Sequence, residues 1–204
     1  MDGLAPAAAA DREVGAVTPE SPATVPAVIR LRTGEELAVR PIAPEDAAAL
    51  NAAFLRLGAD SRYQRFQAGV PVLSRAWLDH LTRVDHRDHE ALVALAPGGD
   101  AIVGVARYIR SPAEPAAAEV AVTVADEWHG RGLGRRLLEA LARHAVRIGI
   151  TTFTASVSPS NRVVHRLLGS VGAVTGRDGG FVVRLTAAPA PAATPPCPVG
   201  PPRR

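Results

Sequence analysis

Residues 118–136 read Ala118-Glu119-Val120-Ala121-Val122-Thr123-Val124, then Ala125-Asp126-Glu127-Trp128, then His129-Gly130-Arg131-Gly132-Leu133-Gly134-Arg135-Arg136. Val120, Val122 and Val124 alternate with Glu119, Ala121 and Thr123, which predicts a strand. A helix is expected after the glycines. Leu133, Leu137, Leu138, Leu141, Ala145 and Ile148 share one face, while Arg136, Glu139, Arg143 and Arg147 fall off it. Glu139 and Arg143 stand in the favourable i,i+4 order, and Gly149 is the expected stop.

Gly130-Arg131-Gly132-Leu133-Gly134 joins strand to helix. Glycine lets backbone come close to a ligand and adopts positive φ at little cost. The first N–H groups of a helix lack internal partners and carry partial positive charge. A strand, a glycine turn and a helix start together make an anion site suited to phosphate. Arg131, Arg135 and Arg136 add charges able to meet phosphate oxygens.

The spacing narrows the phosphate ligand. A P-loop requires Gly-x-x-x-x-Gly-Lys-Ser/Thr, and this chain contains no lysine. A dinucleotide fold requires Gly-x-Gly-x-x-Gly with an acid about 20 residues on. Here the spacing is Gly-x-Gly-x-Gly, and no Asp or Glu lies between Arg143 and Arg177.

At 204 residues there is room for one ordinary domain with a sizeable core. No apolar run reaches membrane-spanning length, and the acidic, Ala-rich N-terminus is unlike a secretory signal. Cys197 is the single cysteine, so it forms no internal disulfide. A cytoplasmic protein is expected, with no membrane or nucleic-acid partner. The net charge is only +3, and the arginines mix with acids along the chain. Residues 1–26 and 188–204 are Ala/Pro-rich and expected to be disordered tails, leaving 27–187 as the domain.

Within the domain, Val28 to Arg32 and Glu36 to Ile42 read as a hairpin around Thr33-Gly34. Pro44, Glu45 and Asp46 open a helix with Ala47, Leu50, Phe54 and Leu57 on its apolar stripe. A short helical piece covers Ser61 to Phe66. Ser74 caps a helix from Arg75 to Val84, with Trp77, Leu78 and Leu81 expected to face inward. Glu90 to Leu95 and Ala101 to Ile109 are strands around a Pro97-Gly98-Gly99 turn. After the central helix come a strand from Thr151 to Val157, a helix to Val171 capped by Ser160 or Asn161, and a last strand pair at Val174-Thr175 and Phe181 to Leu185.

The glycine stretch resembles the acetyl-CoA motif of the GNAT superfamily of N-acetyltransferases, Gln/Arg-x-x-Gly-x-Gly/Ala. Here the motif reads His129-Gly130-Arg131-Gly132-Leu133-Gly134, with histidine at the first position. The order of elements is similar too. Arg40-Pro41-Ile42, Ser61-Arg62-Tyr63, Val84-Asp85 with Asp88-His89, and Gly104-Val105-Ala106-Arg107-Tyr108 look like the bacterial branch that includes protein-lysine acetyltransferases. The resemblance implies a mixed α/β (α+β) fold with a mostly antiparallel, splayed sheet flanked by helices. It also implies acetyl-CoA as co-substrate and an amine acceptor, either a protein lysine or a small molecule. No metal is expected, and the protein is expected to be a monomer or homodimer.

By the same resemblance, free backbone of Val122, Thr123 and Val124 holds the pantetheine arm. The turn residues His129, Gly130, Arg131, Gly132, Leu133, Gly134 and Arg135 hold the diphosphate, and Asn161 contacts the cofactor arm as well as capping its helix. The N–H of Val124 is placed to polarise the thioester carbonyl. A protonated amine, with a pKa near ~10, needs a base. Glu119 is the candidate, with Glu114 and Asp126 as rivals. The family's usual tyrosine acid falls on Leu168. Either thiolate leaves unaided, its thiol having a pKa of about 8.5, or water or His165 supplies the proton. His129 could donate to phosphate or cap the turn, and Trp128 is expected to pack. His80, His86 and His89 with Asp85 and Asp88 match no metal-ligand spacing; a solvated loop is expected there. The competing reading is a non-catalytic acyl-CoA sensor or scaffold of the same fold.

Overall fold

The computed structural model describes residues 27–66, 72–157, 161–177 and 179–186. The expected tails, 1–26 and 188–204, lie outside the described residues, as does Ser160.

Strands β1 (Ala27–Arg30) and β2 (Glu36–Pro41) form the expected hairpin. Helices α1 (Ala47–Arg56), α2 (Ala59–Phe66) and α3 (Arg75–Thr82) follow. Strands β3 (His89–Leu95), β4 (Ile102–Arg110) and β5 (Ala117–Val124) then run consecutively. The long helix α4 (Leu133–Arg147) leads to β6 (Thr152–Ala155), α5 (Arg162–Leu168), β7 (Gly172–Arg177) and β8 (Gly180–Leu185). The described residues form an eight-stranded sheet in the order β1-β2-β3-β4-β5-β6-β8-β7. Each neighbouring pair is antiparallel except β5 with β6, which is parallel.

The two faces of the sheet carry separate cores. Against α4 lie Leu37, Val39, Leu92, Ala106, Ala118 and Val120, with Leu133, Leu137, Leu138 and Leu141 from the helix. Against α1 and α3 lie Ile42, Ala91, Val93 and Ile102, with Leu50, Phe54, Leu57 and Leu81. This is helix, sheet, helix layering, with apolar periods matched to each element. Gly104 brings α4 close to β4, because an added Cβ would sit 2.9 Å from Leu137 Cδ1.

Local signals explain most boundaries. The Ser74 hydroxyl accepts the Trp77 N–H at 3.2 Å and starts α3. Gly149, at φ 84°, ends α4 after Ile148. The Asp85 carboxylate accepts the N–H groups of Arg87, Asp88 and His89 at 2.8–3.0 Å, turning the chain into β3. Asp46 is buried and takes two bonds from the Arg40 guanidinium, each of 2.7 Å, plus the Ala43 N–H at 2.8 Å.

Some expectations are corrected. Trp77 is 48% exposed rather than inward, because α3 is short and buries only its Leu81 side. Glu139 pairs with Arg135 at 2.7 Å and Arg136 at 3.4 Å instead of Arg143. The histidine loop is exposed at His80, Asp85, Arg87 and Asp88, as expected, while His86 and His89 are half-buried and paired. His89 lies 5.3 Å from the His80 ring and accepts from Arg107 Nη1 at 3.2 Å, while His86 Nδ1 is 2.9 Å from Glu90 Oε1. Buried His144, on α4, meets the buried Tyr108 hydroxyl at 3.0 Å. Among the described residues no helix is long and apolar enough to cross a membrane.

Candidate active site

Strand β5 is paired along its length with β4, from Arg110↔Ala118 to Gly104↔Val124. On its other side it meets β6 only at Ala117↔Thr152, Ala118↔Phe153 and Glu119↔Thr154. Beyond Glu119 the two strands part. The Ala125 N–H donates to Val103 O at 2.9 Å, and antiparallel alternation then sets the rest. Ala121 and Thr123 turn their N–H and C=O to β4. Val122 and Val124 turn theirs into the gap beside β6. Of the three residues expected to offer free backbone, Val122 and Val124 have the orientation for it. The Thr123 side chain lies on the α1/α3 face.

His129 Nε2 lies 2.9 Å from the Val124 carbonyl oxygen. A carbonyl can only accept, so the imidazole donates from Nε2. Val124 thus has its C=O satisfied locally, which leaves its N–H facing the gap.

The turn follows at once. Gly130 has φ 72° and Gly132 φ 91°, values that favour glycine. Gly132 is the N-cap of α4 and no side chain caps the helix. Its carbonyl accepts the Arg136 N–H at 3.2 Å, so the N–H groups of Leu133, Gly134 and Arg135 project from the helix start without helical acceptors. A Cβ on Gly134 would meet Val124 Cγ2 at 3.4 Å and Val122 Cγ1 at 3.6 Å. The helix start therefore rests directly on the open part of β5.

The cations around the turn are not arranged as their sequence positions imply. Arg131 donates to Glu35 Oε1 at 2.7 Å and its guanidinium lies 4.7 Å from the Trp128 ring centre. The Glu35 carboxyl is held below its ordinary value, first by the Thr33 side chain, then by its own backbone and by Arg131 against some burial. Arg135 and Arg136 share Glu139. Arg32, in the β1–β2 turn, donates from Nη2 to Gly130 O at 2.7 Å. Nothing in the local sequence signals this contact, because Arg32 and Gly130 are 98 residues apart.

Glu119 sits at the last rung before β5 and β6 separate, exposed, with its Oε1 accepting from Ser156 Oγ at 3.0 Å. It shares the strand face of Ala121 and Thr123. Those two residues, with Phe54, Leu57, Leu81 and Ala125, line a small apolar cavity of about 50 Å³ between the sheet and α1. The rival carboxylates are placed differently. Asp126 accepts the Gly58 N–H at 2.8 Å and the Ser61 hydroxyl at 2.6 Å, tying α2 to the end of β5. Those bonds, Ser61 first, hold its carboxyl below the ordinary value. Glu114 is in the exposed loop before β5, its backbone N–H bonded to Ser111 Oγ at 3.2 Å. Asn161 Oδ1 accepts the Val164 N–H at 3.1 Å as the cap of α5. Leu168 is buried in the core, and the His165 ring packs on Phe181 with centres 5.3 Å apart.

The described geometry has counterparts among known proteins. Residues 53–173 match the acetyltransferase (GNAT) family. The chain is 33% identical over 153 residues to the acetyltransferase Pat of Mycolicibacterium smegmatis, covering 75% of this chain and 46% of that protein. It therefore spans about half the length of that relative. It is 32% identical over 150 residues to the acetyltransferase PA5475 of Pseudomonas aeruginosa, covering 72% of this chain and 80% of that protein. The crystal structure of the GNAT domain of S. lividans PAT superposes with a TM-score of 0.70 at 31% identity, covering 77% of this chain and 94% of that one.

Proposed function

The chain belongs to the GNAT acetyltransferase family, and on that footing we propose that it transfers an acetyl group from acetyl-CoA to a primary amine, a protein lysine, by direct attack in a ternary complex. The observation that carries this reading is the parting of β5 from β6 at Glu119, beside an uncapped glycine turn.

The residues divide the work. The N–H groups of Leu133, Gly134 and Arg135 take the diphosphate, helped by the positive end of α4. The backbone of Val122 and the N–H of Val124 bond the pantetheine arm and the thioester oxygen. Donors fixed before reaction stabilise developing charge without reorganising. Glu119 takes a proton from the ammonium, directly or through water, and frees the nitrogen lone pair. The amine nitrogen bonds to the thioester carbon, the carbon–sulfur bond breaks, and the electron pair leaves on sulfur as thiolate. The nitrogen then gives its second proton to water or to the departing thiolate. A thiol with a pKa of about 8.5 departs without a side-chain acid, in keeping with Leu168 buried where the family's tyrosine would be.

Glu119 is exposed, which lets a long side chain carried on another protein reach it. The resemblance to the protein-lysine branch supports the same acceptor. The test mixes the protein with acetyl-CoA and a panel of lysine peptides and small amines, following free thiol and acetylated product. Thiol release matched by peptide acetylation is expected. Release with small amines alone would move the acceptor class, and CoA binding without turnover on any acceptor would favour the sensor.

A further inference from the structure

Four arginines surround the glycine turn, and three already have acids. Arg131 is held by Glu35 at 2.7 Å, and Arg135 and Arg136 by Glu139 at 2.7 and 3.4 Å. Arg32 differs: among the described residues no carboxylate lies within ion-pair distance of it. Its stem packs on the turn, with Cγ and Nε at 3.7 and 3.8 Å from where a Gly132 Cβ would be. One guanidinium nitrogen, Nη2, bonds Gly130 O at 2.7 Å, and the Arg32 N–H reaches Arg131 O at 3.4 Å. Arg32 thus lies in van der Waals contact with the first residues of the turn into α4.

We propose that Arg32 is the phosphate cation of the CoA site, supplied by the β1–β2 turn and not by the arginines of the motif itself; this rests on the reading that the turn binds CoA. A guanidinium has five N–H donors in a planar fork. The bond to Gly130 uses one edge and orients the group, leaving the other donors for phosphate oxygens. An acid-paired arginine must give up its carboxylate before it can bind phosphate to the same effect, whereas Arg32 gives up only water. The anchoring bond also reduces the side-chain entropy lost when phosphate arrives. The β1–β2 hairpin thereby becomes a wall of the cofactor site, and Glu35 holds Arg131 back as a brace for the turn.

Calorimetric titration of CoA and 3′-dephospho-CoA into the full chain, the Arg32→Gln variant and the Arg32→Lys variant tests this. Glutamine keeps a donor for Gly130 O and removes the charge; lysine keeps the charge. Arg32→Gln should bind CoA roughly tenfold more weakly, with a Kd less sensitive to salt than that of the unchanged protein. Arg32→Lys should recover much of the loss. A penalty that persists with 3′-dephospho-CoA assigns Arg32 to the diphosphate, and one that vanishes assigns it to the 3′-phosphate; either supports the proposal. Unchanged affinity in Arg32→Gln, or Arg32→Lys as weak as Arg32→Gln with an unchanged salt dependence, would overturn it. An unchanged protein that binds no CoA would remove the cofactor reading itself.

Discussion

His129 Nε2 donates to the Val124 carbonyl across 2.9 Å, joining the first residue of the glycine motif to the last residue of β5. Like the glutamine or arginine of the motif it resembles, histidine at this position offers an N–H. It satisfies the Val124 carbonyl at the mouth of the gap.

The first prediction follows from that bond. His129→Gln should keep the donor and stay near the unchanged protein. His129→Ala should raise KM for acetyl-CoA about three- to tenfold, the worth of roughly one hydrogen bond, with a smaller change in kcat. Steady-state kinetics with acetyl-CoA varied would check the split. Equal effects of the two substitutions would show that the donor is irrelevant.

Two titrations should shape stability in separate pH windows. Burial first, then the charge of Arg107, holds His89 down at about 4. An unfolded histidine titrates near ~6.5, so between these values the unfolded chain binds a proton that the fold excludes. Stability therefore falls as pH drops from ~6.5 towards 4. Urea midpoints measured across this range should fall less steeply in His89→Gln, which keeps an acceptor for Arg107. Asp46 acts lower. The Arg40 guanidinium, against some burial and with the Ala43 N–H helping, holds its carboxyl below the ordinary value. Its contribution is present above ~3.9 and is lost as pH falls through the lowered folded value. Asp46→Asn should cost about 1–3 kcal/mol at neutral pH, a difference that shrinks on acidification.

Tyr108 joins three parts of the fold. Its hydroxyl donates to Arg87 O at 3.0 Å and accepts from His144 Nδ1 at 3.0 Å, at full burial. Burial, more than any neighbouring charge, lowers the pKa of His144 and keeps it neutral. Tyr108→Phe should leave a donor on His144 and an acceptor on Arg87 unpaired and cost about 1–3 kcal/mol. Urea denaturation would read this. A neutral outcome would show that water replaces the hydroxyl.

What was legible in the chain was what local chemistry determines. Alternating valines, positive-φ glycines, the Ser74 cap and the leucine stripe of α4 each act within a few residues, and each produced its expected element. Pairings made by tertiary approach were not legible. Arg131 meets Glu35 across 96 residues and Arg32 meets Gly130 across 98. On the α4 surface, Glu139 had arginines on both sides, and only the side-chain geometry decided for Arg135 and Arg136 over Arg143. The motif located the glycine turn but not the partners that its arginines and Arg32 take up. Trp77 misled because its size implies burial, while the short α3 turns that position outward.

Glu119 stands at the last rung before β5 and β6 part, and its proposed role as base for the amine fixes the pH dependence expected of acetyl transfer. The most direct measurement is the pH dependence of acetyl transfer by the unchanged protein and Glu119→Gln, with CoA affinity measured alongside. CoA binding should be unchanged and the rate lowered roughly 100-fold near neutral pH, with the gap closing as pH approaches ~10 and the amine loses its proton unaided. Equal rates and superimposable profiles in the two proteins would contradict it.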